Sequence, residues 1–405
     1  MQSDVIIIGG GMVGLTLALA LDAHGLTSAV IDTADLSATL APAFDGRASA
    51  IASASARMFA AIGLAETLGE GCAIRAIRVT DGLSPLHLHF DSADGDGGPL
   101  GYMFENRRLR AAMLKRARSA ANITLHAPDR AAHIERGPND VTVTLGSGGT
   151  LTAPLIIAAD GRRSPLRDAA GIRVARWQYN QTAIVTTIAH EAPHDSVAFE
   201  LFYPTGPFAI LPMTDGEDGR HRSAIVWTVR AEDAAATLAL PQRALAAEVE
   251  ARMGGFLGAV EMIAPAASYP LGFHHAESYV GERLALIGDA AHGIHPIAGQ
   301  GLNMGLRDVA ALTEVLVDGT RLGLDLGDAT LLDRYQRWRR LDNAMVSGVT
   351  DLLNRLFALP GKPVASLRRL GLAAVERVPP LKRRFMAEAR GETGDRPKLL
   401  MGELV

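Results

Sequence analysis

The stretch GDAAHGIHPIAGQG, residues 288–301, brings three side chains with metal-binding and acid–base chemistry close together in the chain. Asp289, His292 and His295 have the composition of a metal site built from two histidines and one carboxylate. The same groups also suit a cluster of catalytic bases. Pro296, however, follows His295 directly and restricts it to an extended conformation, so the spacing does not give a helical face with two histidines. The sequence therefore disfavours a metal site, and we expect turn and capping roles for these polar side chains.

At the end of this stretch, backbone groups could bind a ligand. Residues 283–287 predict a strand, Gly288 and Asp289 follow it, and a helix is expected over about residues 300–317. Glycines flank the start of this helix in the sequence GQGLN, residues 299–303. The first N–H groups of a helix have no partner within it, and the positive end of the helix dipole points outward there. Such a helix start favours a ligand that carries negative charge.

A strand, a turn and a helix also follow one another at the N-terminus. The sequence predicts a strand over residues 4–8, a helix over residues 12–24 and a second strand over residues 27–31. Residues 5–21 carry no charge, but the four glycines among them argue against a membrane-spanning helix. A buried strand that runs into a helix explains the segment better, and we expect no secretion signal before it.

The turn between that strand and helix has the spacing G-x-G-x-x-G, given by Gly9, Gly11 and Gly14. In this motif the glycines permit a tight turn, a close approach of the backbone to a pyrophosphate, and the packing of the helix on the strand. Asp32 lies 18 residues after Gly14, where a carboxylate can accept hydrogen bonds from ribose hydroxyls. The pattern predicts a dinucleotide site but does not distinguish FAD from NAD.

Two further loops carry polar residues of interest. An apolar strand over residues 154–159 ends in Asp160 and Gly161, a break that can aim a carboxylate and bare backbone at a ligand or can form an ordinary turn. Arg47 lies in a loop before a helical run, where a guanidinium can reach phosphate oxygens or simply remain solvated. Both alternatives stay open at each position.

Composition excludes several classes of protein. At 405 residues the chain exceeds the size of one core, so two or three packed units are expected. A net charge of −4 gives no general attraction to nucleic acid, and we expect neither DNA nor RNA as a partner. Cys72 is the only cysteine, which excludes intramolecular disulfides, dithiol redox pairs and cysteine-based metal sites. The β-rich runs within residues 180–230 predict an antiparallel sheet that forms a separate unit.

Three motifs in this order resemble those of one enzyme family. GGGMVG at residues 9–14, AADGRRSPLR at 158–167 and LIGDAAHGIHPIAGQGLNMGLRD at 286–308 are similar to the class A FAD-dependent aromatic hydroxylases, the para-hydroxybenzoate hydroxylase superfamily. The segments LGYMFENRRL, FYPTGPFAILP and RLDNAMVSGVTDLLNRLF add a resemblance to its ubiquinone-biosynthesis group, which hydroxylates polyprenylated phenols. The similarity extends over nearly the whole chain.

The resemblance implies a set of FAD-binding residues, with no metal ligand and no assigned catalytic side chain. The glycines of the first motif would hold the pyrophosphate, and Asp32 the adenosine ribose, although glutamate is common there. Asp289 would hold the ribityl or pyrophosphate part, and Asp160 with Gly161 match a motif linked to both FAD and NAD(P)H. The other implied FAD-binding positions are Gly9, Gly11, Met12, Val13, Gly14, Arg47, Arg107 and Gly288, and, lining the isoalloxazine ring, Pro296, Gly299, Gln300, Gly301, Leu302 and Asn303.

The resemblance also implies an α/β fold with a Rossmann-like FAD-binding domain, an inserted antiparallel β-sheet substrate domain and a helical C-terminus. In this arrangement the FAD-binding domain is discontinuous, because the substrate domain interrupts it twice. The expected segments are residues 1–75, 100–175 and 272–345 for the FAD-binding domain, residues 76–99 and 176–271 for the substrate domain, and residues 346–405 for the helical C-terminal region.

The implied reaction is that of a monooxygenase. NAD(P)H reduces FAD, O2 forms a flavin hydroperoxide, and its distal oxygen is transferred to the phenol ring while the protein excludes water and positions that ring. No second G-x-G-x-x-G in a suitable context is present, so NAD(P)H is expected as a transient co-substrate. The alternatives are a related flavin reductase or halogenase, and a non-catalytic flavin-binding accessory protein of a biosynthetic complex. The three tryptophans form no halogenase signature W-x-W-x-I-P.

Residues 362–390 differ in charge from the rest of the chain, since they hold eight Lys or Arg residues and two Glu residues. A basic amphipathic segment can lie on an anionic bilayer, where polyprenyl substrates reside, or it can pack on the flavin domain with one face solvated. We expect a cytoplasmic protein whose partner surface is the inner face of the membrane or a ubiquinone-biosynthesis protein complex.

Overall fold

A six-stranded sheet, whose central strands are buried, forms the first layer of the fold. The computed structural model describes residues 2–41, 46–95, 97–295, 297–359 and 361–405. All neighbouring strands of this sheet are parallel except at one edge, where the shortest strand is antiparallel. In spatial order the strands, numbered along the chain, are β19 (Val280–Gly281), β20 (Leu284–Leu286), β12 (Leu155–Ala158), β1 (Val5–Ile8), β2 (Ser28–Ile31) and β8 (Ile123–His126).

A nine-stranded sheet forms the second layer. Its pairs are antiparallel except for one parallel pair, β14 with β5, which joins an early hairpin to the strands of the later segment. The path in space is β21 (His292–Gly293), β18 (Ala267–Ala276), β13 (Val174–His190), β16 (His221–Arg230), β15 (Gly206–Met213), β14 (Val197–Tyr203), β5 (Ala76–Asp81) and β6 (His87–Asp91), with β17 (Val260–Met262) paired to β13.

Two three-stranded sheets and the helices complete the described fold. One small sheet contains β3 (Ala48–Ala52), β7 (Gly101–Glu105) and β4 (Cys72–Ile74), and the other contains β11 (Thr150–Ala153), β10 (Val141–Leu145) and β9 (Ala131–Arg136). The α-helices are α1 (Met12–Asp22), α2 (Ser53–Ala61), α3 (Ala65–Leu68), α4 (Asn106–Ser119), α5 (Pro165–Ala169), α6 (Ala234–Leu238), α7 (Gln242–Met253), α8 (Gln300–Arg321), α9 (Ala329–Ala358), α10 (Lys362–Glu376), α11 (Pro379–Arg390) and α12 (Lys398–Met401).

The largest core lies around the six-stranded sheet. The four-residue runs of β1, β2 and β12 are almost entirely buried, as expected for parallel strands that are covered on both faces. Helices α1 and α8 contribute buried residues to this core, and α8 is buried along most of its length. Because β1, β12 and β20 are parallel, the turns that follow them meet at one edge of the sheet.

The α/β class with an inserted sheet and a helical C-terminus is confirmed. Helix α8 is one turn longer than the predicted span of about residues 300–317, and it begins at Gln300 as expected. Helix α9 runs without a break through the boundary that we placed between residues 345 and 346. Among the described residues, no helix combines the length and the apolar character that crossing a bilayer requires.

Candidate active site

The β1–α1 turn is so tightly built that two of its glycines have no space for a side chain. A Cβ on Gly14 would lie 2.0 Å from the carbonyl oxygen of Gly9, and a Cβ on Gly9 would lie 2.3 Å from that of Ala159. Gly9 also has φ +110°, a conformation that residues with a side chain rarely adopt. The turn therefore holds α1 close against the ends of β1 and β12.

Gly11 differs from these glycines because it faces open space. No heavy atom lies within 4 Å of a Cβ built there, and Gly11, Met12 and Val13 line a large cavity. Helix α1 begins at Met12, and its N-cap residue is Gly11, which has no side chain that could cap the helix. The first N–H groups of the helix have no partner within it, so the turn presents donors to the cavity. This is the arrangement in which a helix start binds phosphate.

Asp32 ties this turn to the end of β2. Its Oδ2 accepts a hydrogen bond from Gly10 N at 2.6 Å, and its Oδ1 accepts one from Ala34 N at 2.8 Å. Each carboxylate oxygen keeps a second lone pair, which can accept from a ribose hydroxyl. The aspartate thus shapes the glycine turn and also offers the acceptors that a nucleoside requires.

The second turn follows β12. Oδ2 of Asp160 accepts a hydrogen bond from Leu166 N at 3.3 Å, whereas Oδ1 is buried and has no partner among the described residues. Burial raises the pKa of this carboxyl, although its hydrogen bonds act in the opposite direction. Gly161 has φ +83° and lines the cavity beside open space. A buried acceptor without a partner next to a cavity is a feature that a bound ligand can satisfy.

The third turn leads into α8. Gly299, the N-cap residue of this helix, has φ +63° and no side chain that could cap the helix. Gly301 faces open space. Residues 299–303 all line the cavity, so the positive end of the α8 dipole points into it. Asn303 holds this first helical turn in place, because its buried Oδ1 accepts a hydrogen bond from Ala52 N at 2.9 Å.

Asp289 reaches the same cavity from the turn after β20. The residue is exposed only because it lines the cavity. Its carboxyl lies deep in the protein, and the resulting desolvation raises its pKa. The charges of His292, Arg162 and Arg47 act in the opposite direction. Arg47 stacks at 4.7 Å over the ring of Tyr269, and both residues line the cavity. Guanidinium groups beside a carboxyl suit a ligand that carries both phosphates and hydroxyls.

The first histidine of the opening stretch belongs to a buried ionic network. Nε2 of His292 lies 2.5 Å from Oδ2 of Asp308, and the same oxygen accepts a hydrogen bond from Gly288 N at 3.0 Å. Oδ1 of Asp308 accepts one from Arg339 Nε at 2.8 Å. Burial alone opposes ionisation of Asp308, but His292 and Arg339 outweigh it and hold its pKa well below the usual range. Asp308 thus joins the Gly288 turn, α8 and α9.

The second histidine has different surroundings. His295 is fully buried, and its ring lies edge-on to that of Tyr179 at 5.3 Å between centroids. Burial lowers the pKa of the imidazole to about 4, so the ring is neutral at neutral pH. Across the described ranges no group of three or more His, Cys, Asp or Glu side chains is arranged to hold a metal ion. The two histidines therefore have separate structural contacts.

The structure brings most of the predicted residues to one cavity of about 1870 Å³. The predicted residues that line it are Gly11, Met12, Val13, Arg47, Gly161, Asp289, Gly299, Gln300, Gly301, Leu302 and Asn303. Five others, Gly9, Gly14, Asp32, Asp160 and Gly288, lie in the turns behind this lining. Arg107 lies apart, on the exposed side of α4, where its Nε donates to Leu40 O at 2.7 Å. Pro296 lies outside the described residues.

The cavity continues from the three turns into an apolar region. Strands of the nine-stranded sheet form one side of this region, and α10 and α11 lie on the other. Its apolar lining includes Ile77, Val79, Leu88, Phe90, Ala198, Ala209, Leu211, Leu372, Val375, Leu381 and Phe385. The volume exceeds the roughly 300–1,000 Å³ of a pocket for one small molecule. The cavity therefore has room for a dinucleotide and a second, largely apolar ligand.

Sequence reasoning missed three residues of this site. Arg162 lies in the motif AADGRRSPLR, and Asp308 ends the motif LIGDAAHGIHPIAGQGLNMGLRD. Their positions in these motifs were the signal that could have identified them. Glu200 lies in the apolar part of the cavity, where it is the charged residue of the strand VAFELFY. A single carboxylate in an otherwise apolar strand was its signal, because buried acids are rare unless they are paired or functional.

Comparison with known proteins agrees with this geometry. Residues 2–347 match a family described as "FAD binding domain". The chain is 50% identical to "Ubiquinone hydroxylase UbiL" of Rhodospirillum rubrum, over 98% of this chain and 92% of that protein. It is 35% identical to "3-demethoxyubiquinol 3-hydroxylase" of Escherichia coli, over 96% and 98% of the two chains. The structure of a p-nitrophenol 4-monooxygenase from Pseudomonas putida has the same fold, with a TM-score of 0.79 at 18% identity over 98% and 99% of the chains.

The fold, the cavity and these matches define an FAD-dependent aromatic hydroxylase, and the chain belongs to the FAD binding domain family. Within that family it belongs to the ubiquinone hydroxylase group, with which it aligns over nearly its whole length. The resemblance found in the three sequence motifs is thereby confirmed, and the protein is an FAD-dependent monooxygenase.

Proposed function

We propose that this enzyme hydroxylates the aromatic ring of a polyprenylated phenol in ubiquinone biosynthesis, with NAD(P)H as electron donor and O2 as oxidant. The observation that supports this most strongly is the cavity, which joins the three turns to a long apolar region under the nine-stranded sheet. A phenol ring near the start of α8 can leave its prenyl chain in that region, where apolar burial stabilises it. The hydroxylases to which the chain is similar carry ubiquinone substrates in their names.

The residues of the three turns fit FAD. Space is open at Gly11 and Gly301, and Oδ1 of Asp160 is a buried acceptor in need of a donor. We assign the pyrophosphate to the glycine turn at residues 9–14, the adenosine ribose to Asp32, the ribityl or pyrophosphate part to Asp289, and the isoalloxazine ring to residues 299–303, with Met12, Val13, Arg47, Asp160, Gly161 and Gly288 beside the cofactor. Bound FAD supplies electron transfer from NAD(P)H and the activation of O2.

The chain itself binds and orients the flavin and the substrate, and it excludes water from the site. The N–H groups and dipole of α8 stabilise negative charge at residues 299–303 without a charged side chain. Asn303 and Asp308 hold that helix against β3 and against the turn at Gly288. The apolar region keeps water from the ring. The FAD-binding domain of this proposal comprises the discontinuous segments predicted from the sequence, and NAD(P)H binds transiently in the absence of a second Rossmann motif.

The function is tested with FAD-loaded protein, 2-geranylphenol as the probe, and NADH or NADPH. We expect NAD(P)H oxidation that the phenol stimulates, and a product that contains one atom of isotopically labelled O2 in mass spectrometry. A reductase would change the prenyl chain without incorporating labelled oxygen. An accessory protein would bind FAD without phenol-dependent oxidation. Either of these two results would replace the proposed function.

We further propose that the cavity opens toward an anionic membrane surface between α9 and α11. Leu341, Met345, Leu381 and Phe385 line the cavity and are also exposed at the surface, so they mark its mouth. Arg384 lines the same mouth, and Arg383 beside it is exposed. Other basic residues of this segment pack inward instead: Lys382 pairs with Glu376 and Asp94, and Arg368 with Asp81. The segment thus has both a packed face and a solvated basic face.

The double substitution Arg383→Glu/Arg384→Glu should abolish binding to phosphatidylglycerol vesicles. A basic residue near an anionic bilayer contributes about 1 kcal/mol, so losing two lowers the partition coefficient at least about 30-fold. Vesicle co-sedimentation at low and moderate salt measures this, with Arg243→Glu on the exposed part of α7 as the control. Equal sedimentation of the double variant and wild type would refute the assignment of this surface, and a protein complex would become its partner.

A further inference from the structure

Glu200 occupies an unusual place in the middle of β14. Strand alternation directs Leu201 toward the core under α7 and places Glu200 on the opposite face of the sheet, which lines the cavity. Its direct neighbours on that face are Val79 of β5 and Ala209 of β15. The carboxyl therefore lies between two apolar side chains, in the part of the cavity that receives the second ligand.

The carboxyl of Glu200 is buried and has no partner in the described structure. The residue is 8% exposed, and no hydrogen bond or ion pair joins it to another described residue. Burial raises its pKa to about 8. An unpaired acid in an apolar region costs stability, because its charged form is desolvated without compensation. A residue retained at such a cost is a candidate for binding or chemistry.

Glu200 also lies near the start of α8. Phe202, two residues further along the same face of β14, belongs to a cluster with Ile297 and Phe357. Ile297 precedes Gly299, the N-cap of α8, by two residues. Val79, the direct neighbour of Glu200 on β5, packs against the same cluster, so Glu200 faces the part of the cavity next to the segment that leads into α8.

No other charge explains the state of Glu200. Asp81 of β5 faces the same side of the sheet, but it pairs with Arg368 of α10 at 3.4 Å. The charged residues that line the cavity from the neighbouring helices are Arg337 and Asp342 of α9, Arg368 of α10, and Arg384 and Glu388 of α11. Burial is the sole cause of the raised pKa of Glu200. The carboxyl is therefore free to respond to a ligand in the cavity.

We propose that Glu200 binds the phenol hydroxyl of the substrate and takes its proton as the ring is hydroxylated. This inference rests on the proposed function. The O–H bond breaks, its proton moves to the Glu200 carboxylate, and its electron pair enters the ring. A ring carbon then forms a bond to one oxygen atom of O2 as the O–O bond breaks. NAD(P)H supplies the two electrons as hydride, and the second oxygen atom leaves as water with protons from the solvent. That carbon loses its hydrogen to water as a proton, and the phenol oxygen takes its own proton back from Glu200.

The first test is the pH dependence of turnover by FAD-loaded enzyme with 2-geranylphenol. A base acts as the carboxylate, so wild-type turnover should rise with pH through about 8, the pKa of Glu200. Glu200→Gln should be slower by about 100-fold and should lose this rise, since an amide takes no proton. Glu248→Gln, on the exposed part of α7, is the control and should behave as wild type.

The second test measures binding without turnover. Under argon, wild-type enzyme should bind 2-geranylphenol about 10-fold more tightly than 2-geranylanisole, which has no proton to donate to the carboxyl. Glu200→Leu should bind the two compounds equally. A Glu200→Gln variant with an unchanged pH profile, or a Glu200→Leu variant that keeps the preference, would overturn the role of Glu200 while wild-type turnover upholds the proposed function. A wild-type enzyme that never oxygenates a phenol would overturn both.

Folding of the variants is followed by melting temperature. In the folded protein Glu200 holds a proton up to about pH 8, whereas in the unfolded chain it loses it at about 4.5. The stability of wild type therefore falls as the pH rises between these values. Glu200→Gln should consequently melt higher than wild type at pH 8 and close to it at pH 4.5. A variant that melts lower than wild type at pH 8 would show that Glu200 is not the desolvated acid that the proposal requires.

Discussion

Gly11→Ala should weaken FAD binding by about 1,000-fold and leave the fold of the FAD-free chain unchanged. The backbone at Gly11 has φ −71° and ψ −178°, which any residue adopts, and a Cβ there meets no protein atom within 4 Å. In the holoenzyme the same Cβ would occupy the space through which the pyrophosphate approaches the N–H groups of α1. Two charge-assisted hydrogen bonds at roughly 2 kcal/mol each correspond to this loss of affinity.

Titration of FAD-free protein with FAD, followed by quenching of flavin fluorescence, gives the dissociation constant. Gly348→Ala is the matched control, because Gly348 also faces open space and lies on the exposed side of α9. The melting temperatures of both FAD-free variants should stay close to that of wild type. A Gly11→Ala protein whose FAD affinity is within a few-fold of wild type would remove the glycine turn from the cofactor site.

Asp308→Asn should destabilise the protein by about 3–5 kcal/mol, the cost of removing the acidic partner from a buried ion pair with Arg339. Asp308 is fully buried, and its two oxygens contact His292 and Arg339 at 2.5 and 2.8 Å. The same carboxylate accepts from Gly288 N, so its loss also loosens the turn that carries Asp289. Urea unfolding of the FAD-loaded and FAD-free forms measures the free energy of unfolding, and FAD affinity should fall with it.

Asp318→Asn provides the comparison within the same helix. Asp318 pairs with Arg334 at 2.9 Å, but both side chains are partly exposed, so this pair should contribute only about 0–1 kcal/mol. The acid dependence gives a second check. The folded-state pKa of Asp308 is lowered, so its stabilising effect should be present above its ordinary value of 3.8 and shrink as the pH falls below it. Equal losses in the two variants would contradict the network described here.

The parts of the site that could be predicted from the sequence are those formed by neighbours in the chain. Each of the three turns joins a strand to a glycine or an Asp-Gly pair, and local backbone geometry dictates what such a turn presents. The start of α8 at Gln300 is an example, because the flanking glycines leave its N–H groups exposed to a ligand. The strand and helix bounds around residues 4–31 were predicted to within a few residues for the same reason.

The parts that could not be predicted depend on contacts between distant residues. Nothing near His292 in the sequence indicates that Asp308 and Arg339 will surround it, since only the packing of α8 on α9 brings them together. The pairing of β21 with β18 was likewise missed, because a two-residue strand has no periodicity to detect. Glu200 was missed because the alternation of side chains along a strand indicates which face of the sheet Glu200 lies on, but not what lies opposite that face.

A crystal structure of the FAD-loaded enzyme is the most direct test of the proposed cofactor site. We expect one FAD per chain, with its pyrophosphate against the N–H groups at Gly11 and its isoalloxazine ring at residues 299–303, facing the apolar region that holds Glu200. A flavin ring placed elsewhere, or a purified chain that stays colourless and takes up no added FAD, would contradict the claim that the three turns form one cofactor site.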